Sequence, residues 1–323
     1  MLYKNMLEVK KITILIPLFN EAAVLPELIN RLESLILQTR FELDVLLVDD
    51  GSTDDTAIII QRAIFEKDRF SAIFLSRNFG HAKALTAGLA HINEAIDAVF
   101  IIDGDLQDPP ELLENFVTKM NDGFDVVYGV RNKRKEGYFK KLSYKYYYRL
   151  LKQFANIKIP LDAGDFSLIS NRVVKQLNNL PEESRYLRGL RSWVGFSQCG
   201  IEYDRDKRNA GVSKYGISSL LKLAFNGIFN FSELPIRLIG MVGFTTIIIS
   251  IVYLIIILCK KIFFGTVPEG FTTLIFAIIL FSGVQLFSIG ILGEYILRIF
   301  FQVKQRPLYI VKSKIIRGQI INE

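Results

Sequence analysis

Two aspartates flank one glycine at Asp103-Gly104-Asp105, just past an apolar run of strand length, Ala98–Ile102. Carboxylates at that spacing can share one small cation, and the glycine relaxes the backbone between them. Magnesium takes one or two protein carboxylates and completes its octahedron with phosphate oxygens and water. A cation held this way would neutralise a diphosphate leaving group. A D-x-D triplet is common on surfaces by chance, so its placement carries the weight. Other polar residues fall at matching places. Pro17, Asn20 and Glu21 close a first apolar run, and Asp49, Asp50, Gly51 and Ser52 a second. Arg77 and Asn78 close a third and Arg131 a fifth, while Gln107 follows the aspartates. Four carboxylates around one divalent ion would leave surplus negative charge facing a diphosphate. Asp49 and Asp50 are therefore expected outside the metal shell, one of them hydrogen-bonding a base or ribose.

The elements that must position these residues are legible in the first 130 residues. Ile12–Leu18, Leu43–Val48, Ala72–Leu75, Ala98–Ile102 and Val126–Tyr128 are short apolar runs. Amphipathic stretches separate them: Ala22–Gln38, Asp55–Glu66, Ala82–Ile92 and Pro109–Met120. This alternation predicts an α/β fold with a doubly wound, mainly parallel sheet. Ligands of such sheets bind beyond the carboxyl ends of the strands, where the polar residues gather. The fingerprints G-x-G-x-x-G and the P-loop are absent, which argues against dinucleotide or ATP binding in those modes.

Several segments then carry a resemblance. IPLFNE, VDDGSTDDT, SRNFGHAKALTAGL and DGDLQDPPE resemble family 2 glycosyltransferases with the GT-A fold. They are most similar to the polyprenyl-phosphate glycosyltransferases, the group of bactoprenol glucosyltransferases and dolichol-phosphate mannose synthases. DAGDFSLIS, RYLRGLRSWVGF and RNAGVSKYG resemble the same group, so the likeness covers nearly the whole chain. It implies transfer from a nucleotide sugar donor to a polyprenyl phosphate acceptor, with Mg2+ or Mn2+. It implies that Pro17, Glu21 and Asp50 contact base or ribose, and that Asp103, Asp105 and Gln107 surround metal and diphosphate. Asp165 becomes an active-site carboxylate, and Arg131, Arg208 and Lys214 become phosphate contacts. Asp105, Asp165, Arg208 and Lys214 thus form the expected catalytic set. Asn20, Asp49 and Asn78 join the nucleotide-sugar side. The motif Q-x-x-R-W of processive synthases is missing; the single tryptophan, Trp193, follows Arg191-Ser192. Transfer of a single sugar is expected, with glucose and a UDP donor favoured. Mannose or amino-arabinose donors, or a non-catalytic scaffold, are the alternatives. His81 receives no catalytic role and is expected to cap or pack.

Composition adds a membrane. Leu238–Cys259 holds no charged residue over 22 positions, and Gly270–Gly293 none over 24. At about 1.5 Å per residue each exceeds a hydrocarbon core of roughly 30 Å. Only Lys260 and Lys261 lie between them, whereas Arg298, Lys304, Arg306, Lys312, Lys314 and Arg317 follow. That bias predicts two spans with both termini cytoplasmic. The first apolar stretch, Ile12–Phe19, is short and broken by Pro17, so no signal peptide is expected. The two cysteines, Cys199 and Cys259, suggest no structural disulfide. From Arg131 to Lys152 nine basic residues and five tyrosines face one acid. In a chain with membrane spans this favours lipid headgroups or lipid phosphate over a solvated face, and nucleic acid is not expected. The expected organisation is a cytoplasmic catalytic domain at 1–212, amphipathic juxtamembrane helices at 213–235, two spans at 236–298 and a tail at 299–323. The loop Arg208–Tyr215 could order over bound substrate or stay rigid. A homo-oligomer is compatible with this organisation.

Overall fold

Strand β1 (Lys11–Leu18) alternates between two apolar layers, Ile12, Ile14, Ile16 and Leu18 on one side and Leu15 on the other. Strand β2 (Glu42–Asp49) does the same, with Leu43, Val45 and Leu47 opposite Leu46 and Val48. Strands apolar on both faces need cover on both. The computed structural model describes residues 8–131, 163–204, 234–264, 270–316 and 318–321. In it, helices α1 (Leu25–Gln38), α2 (Thr56–Glu66) and α4 (Leu113–Asn121) cover one face through Leu28, Ile60 and Phe116. Helices α3 (His81–Ala90), α5 (Asn171–Asn179) and α6 (Leu187–Trp193) cover the other through Leu85, Val173 and Leu190. The strands expected near 72, 98 and 126 are β3 (Phe70–Leu75), β4 (Ala98–Ile101) and β5 (Val126–Arg131).

The sheet departs from the expected mainly parallel arrangement: it is mixed. Four further strands enter it, β6 (Ala163–Ser170), β7 (Gln198–Tyr203), β8 (Val311–Ile316) and β9 (Gln319–Ile321). The order is β7-β5-β6-β4-β1-β2-β3-β8-β9. β1 is parallel to β2 and β4, β2 to β3, and β5 to β7. β6 inserts antiparallel between β4 and β5, while β8 runs antiparallel to β3 and to β9. Because β6 runs backwards, its first residues lie at the same edge as the last residues of β4. A segment distant in sequence is thereby delivered to the D-x-D aspartates.

Two long helices precede the last strands, α7 (Leu234–Phe264) and α8 (Phe271–Lys304). Ile249, Ile255, Phe263, Leu286 and Phe287 on them are exposed. Among the described residues one stretch, Leu280–Lys304, is long and apolar enough to cross a membrane; a shorter apolar stretch, Ile239–Tyr253, lies in α7. After α8 the chain turns at Gln305, with φ at 49°, and returns to the sheet. Ser76 N–H donates to the Ile310 carbonyl at 2.9 Å, and Ile315 is buried against the core. The expected tail therefore supplies two strands of the sheet. The basic stretch from 132, the amphipathic stretch Ile217–Phe231, Arg208 and Lys214 lie outside the described residues.

Candidate active site

Three strand-end loops are stitched into one wall. The Asn20 side-chain carbonyl accepts from Thr53 N–H at 2.8 Å, while Asn20 N–H donates to Ser52 Oγ at 2.9 Å. Asn20 holds φ at 53°, a left-handed conformation that asparagine tolerates better than most residues. Glu21 N–H donates to Thr56 Oγ1 at 2.9 Å. Asp49 accepts from Ser52 N–H at 3.3 Å. Asp50 reaches across to the loop after β3, accepting from Phe79 N–H at 2.7 Å and Gly80 N–H at 2.8 Å. Gly51 makes this closure feasible: its φ is +66°, and a Cβ there would lie 2.4 Å from the Arg77 carbonyl carbon. Burial pushes both Asp49 and Asp50 carboxyls above 3.8, although hydrogen bonds to their oxygens oppose it. Lys312 on β8 also lies near enough to Asp49 to favour its anion.

The D-x-D loop rests on an aromatic floor. Phe166 packs at 5.3 Å from Phe100, 4.9 Å from Phe116 and 5.1 Å from Tyr203. Tyr203 donates its hydroxyl to buried Asp108 at 2.6 Å, fixing the far end of the loop. Asp105 Oδ1 accepts from Gln107 N–H at 3.2 Å. Between them Leu106 is buried with φ at +60°. A left-handed leucine costs of order 1–3 kcal/mol, and such strain persists only where surroundings enforce it.

Opposite that loop stands a string of charge. His81 opens α3, and its Nε2 lies 3.8 Å from Asp103 Oδ1 and 3.4 Å from Asp165 Oδ2. Asp165, near the start of β6, receives both prongs of Arg188, Nε to Oδ1 and Nη2 to Oδ2, each at 3.0 Å. Burial by itself would raise the Asp165 carboxyl, but Arg188 and His81 hold it well below 3.8. Burial would lower the His81 imidazolium, but the bond to Asp165 and the charge of Asp103 raise it to about 9. Asp165 raises Arg188 in turn. One turn further along α6, burial lowers Arg191 to about 10; its Nη2 donates to the Gly164 carbonyl at 3.4 Å and its Nε has no partner among the described residues.

The donor set suits a hard divalent cation. Asp103 and Asp105 offer carboxylate oxygens, and Gln107 an amide oxygen, on one short loop. Among the described residues no three His, Cys, Asp or Glu side chains form a ready metal cluster. Magnesium needs none, since it takes one or two protein carboxylates and phosphate oxygens from the substrate. Asp165 is already committed to Arg188 and His81, which leaves the D-x-D pair as the natural ligands.

The fold thus brings Pro17, Asn20, Glu21, Asp49, Asp50, Asn78, Asp103, Asp105, Gln107 and Asp165 to one sheet edge. Arg131 ends β5 at that edge, paired with Tyr203. Pro17 is buried within β1, and Asn78 is exposed, its carbonyl accepting from Arg77 Nη1 at 3.0 Å. Sequence reading assigns His81 no role beyond capping or packing, and Arg188 none at all. The signal for Arg188 was its spacing with Arg191, i and i+3, which puts both along one side of helix α6.

A family profile described as glycosyl transferase family 2 matches residues 13–177. An uncharacterized glycosyltransferase of Bacillus subtilis, YkcC, is 41% identical over 302 residues, covering 93% of each chain. The bactoprenol glucosyl transferase derived from the SfII prophage of Shigella flexneri is 36% identical over 304 residues, covering 94% of this chain and 98% of that protein. An uncharacterized glycosyltransferase of Synechocystis, sll0501, is 36% identical over 304 residues, covering 94% and 95%.

Proposed function

This chain is a glycosyltransferase that belongs to glycosyl transferase family 2, and we propose that it moves one sugar from a nucleotide diphosphate to a polyprenyl phosphate. Glucose and a uridine donor are favoured, and undecaprenyl phosphate is the acceptor by analogy with the bactoprenol glucosyl transferases. One observation carries the lipid acceptor beyond analogy: the apolar helix ends against the site. Gln302 in the last turn of α8 accepts from Glu183 N–H at 3.0 Å and donates to the Pro181 carbonyl at 2.7 Å. Glu183 in turn pairs with Lys83 on α3 at 4.0 Å, two residues beyond His81. A phosphate in the headgroup layer at that helix end would lie within reach of the same sheet edge.

The wall of Asn20, Glu21, Asp49, Asp50 and Asn78 takes the nucleotide, and Asp103, Asp105 and Gln107 face the diphosphate. A magnesium or manganese ion held there would stabilise the charge developing on the departing diphosphate. An acceptor phosphate oxygen attacks the anomeric carbon as the bond to the diphosphate oxygen breaks, which inverts the configuration. That oxygen is already anionic, so no general base is required. Asp165 orients rather than accepts a proton: its carboxyl stays ionised and both oxygens bond to Arg188. Arg131, Arg208 and Lys214 relieve repulsion between the two anions, most effectively where water is excluded. We assign two spans, within 236–298, and a cytoplasmic face to the catalytic residues.

The test is to incubate membranes containing the chain with a panel of labelled nucleotide sugars and undecaprenyl phosphate. Labelled lipid from UDP-glucose is the expected product. Label arriving from another sugar would replace the donor, and donor hydrolysis with no lipid product would remove the acceptor.

A further inference from the structure

Four charged side chains from four different segments meet in a line: Asp103 after β4, His81 opening α3, Asp165 on β6 and Arg188 on α6. β4 and β6 are already paired as strands, and the helices α3 and α6 meet them here through charged side chains. Arg188 sits at the far end, separated from the D-x-D loop by two residues. Its contact is a two-pronged fork, with both distances 3.0 Å. Asp165 is 15% exposed, so this guanidinium supplies most of what water would otherwise give its carboxylate. Arg191 cannot substitute. Its Nη2 donates to the Gly164 carbonyl, and its guanidinium lies over the Tyr128 ring at 5.4 Å.

A fork fixes orientation as well as charge. With both Asp165 oxygens set by Arg188, Oδ2 presents to His81 from a defined direction, and the imidazole is kept between Asp165 and Asp103. We infer that Arg188 is a positioning residue, which acts through Asp165 to hold His81 against Asp103 and so sets the start of α3 against the D-x-D loop. This rests on the transferase reading for its kinetic consequence, but the geometry itself can be tested without turnover.

The chain has two histidines, His81 and His91. The full chain labelled with 15N-histidine therefore gives two ring signatures. His91 hydrogen-bonds the Ala87 carbonyl through Nδ1 at 2.7 Å and serves as an internal control. Arg188→Ala should move the His81 ring resonances as far as Asp165→Asn does, with His91 unmoved. In turnover with UDP-glucose and a prenyl phosphate, Arg188→Ala should lower kcat by about 100-fold, the scale of a 1 Å misplacement. The KM for donor should change by less than about twofold, because the nucleotide wall is untouched. Added guanidinium ion should restore part of the rate. Combining Arg188→Ala with Asp165→Asn should cost no more than the worse single change. If Arg188→Ala does not fold, Arg188→Lys keeps the charge but loses the fork, and the same shift and the same non-additivity are expected. An unmoved His81 signature in a folded variant would overturn the inference, as would multiplying losses in the double variant. An inactive wild type whose His81 signature still depends on Arg188 would instead fault the substrate assignment and leave this linkage standing.

Discussion

Asp105 is the residue on which the proposed chemistry turns most directly. Its carboxylate is set by the Gln107 N–H and borders a strained Leu106. Asparagine keeps the shape and loses the charge that a magnesium ion beside a diphosphate needs. Asp105→Asn should cost more than about 2 kcal/mol of transition-state stabilisation, the scale of one preorganised electrostatic partner. Melting temperature should hardly change. Near-wild-type turnover by a folded Asp105→Asn chain would remove the aspartate from the metal shell. EDTA should stop the reaction, and added magnesium or manganese should restore it. Gly51 poses a purely steric question. An added methyl would meet the Arg77 backbone at 2.4 Å in a positive-φ residue, so something must shift. Gly51→Ala should destabilise by about 1–3 kcal/mol and weaken nucleotide binding. Denaturant midpoints and UDP titration would report each effect separately.

Between elements, Asp125 has a role that the active site does not use. It opens the turn into β5 and accepts from Arg172 on α5, from Ser170 Oγ at 3.2 Å and from Ser197 Oγ at 2.9 Å. One buried carboxylate thus ties the starts of β5, α5 and β7. Burial alone would raise its carboxyl, but those donors outweigh it and hold it below 3.8. A carboxyl depressed in the folded chain contributes stability above its unfolded pKa. That contribution fades as pH falls through the lower folded value. Asp125→Asn should therefore cost about 1–3 kcal/mol at neutral pH. The deficit should close below the ordinary carboxyl range, on the acid side of 3.8. Chemical denaturation of both chains across that window checks the sign: a deficit independent of pH would mean that charge plays no part.

The whole molecule is closed by its C-terminal residues. β8 covers the outer edge of β3, and Ile315 completes the core beneath it. An uncovered strand edge exposes unpaired N–H and C=O groups and invites association. Ending the chain at residue 304 should lower Tm and promote aggregation; about 1 kcal/mol moves the Tm of a domain this size by roughly 2–4 °C. Unchanged melting would make β8 a passive attachment. It follows that a cut after residue 232 cannot isolate the role of the long helices, since it also removes β8 and β9. Replacing 234–304 with a flexible linker keeps both strands. Such a chain should still bind nucleotide but use a long-chain prenyl phosphate poorly, because anchoring raises effective concentration. A short soluble prenyl phosphate should recover the rate. Full activity on the long-chain lipid would mean that the helices serve another purpose.

Local pattern alone determined the first five strands, the four helices among them and the gathering of Asp49, Asp50, Asp103 and Asp105 at one edge. Those features follow from apolar periodicity and from polar residues at strand ends, both written in consecutive residues. Periodicity carries no pairing direction, so the antiparallel entry of β6 and the return of β8 were beyond it. DAGDFSLIS marks Asp165 through resemblance alone, and its place between β4 and β5 comes only with the folded sheet. The partner of Asp165 is 23 residues away on a helix, and His81 sits between two carboxylates that both follow it, at very different distances in sequence. Only folding decides such neighbours, because ion pairs form between side chains that packing brings together, whatever their separation along the chain.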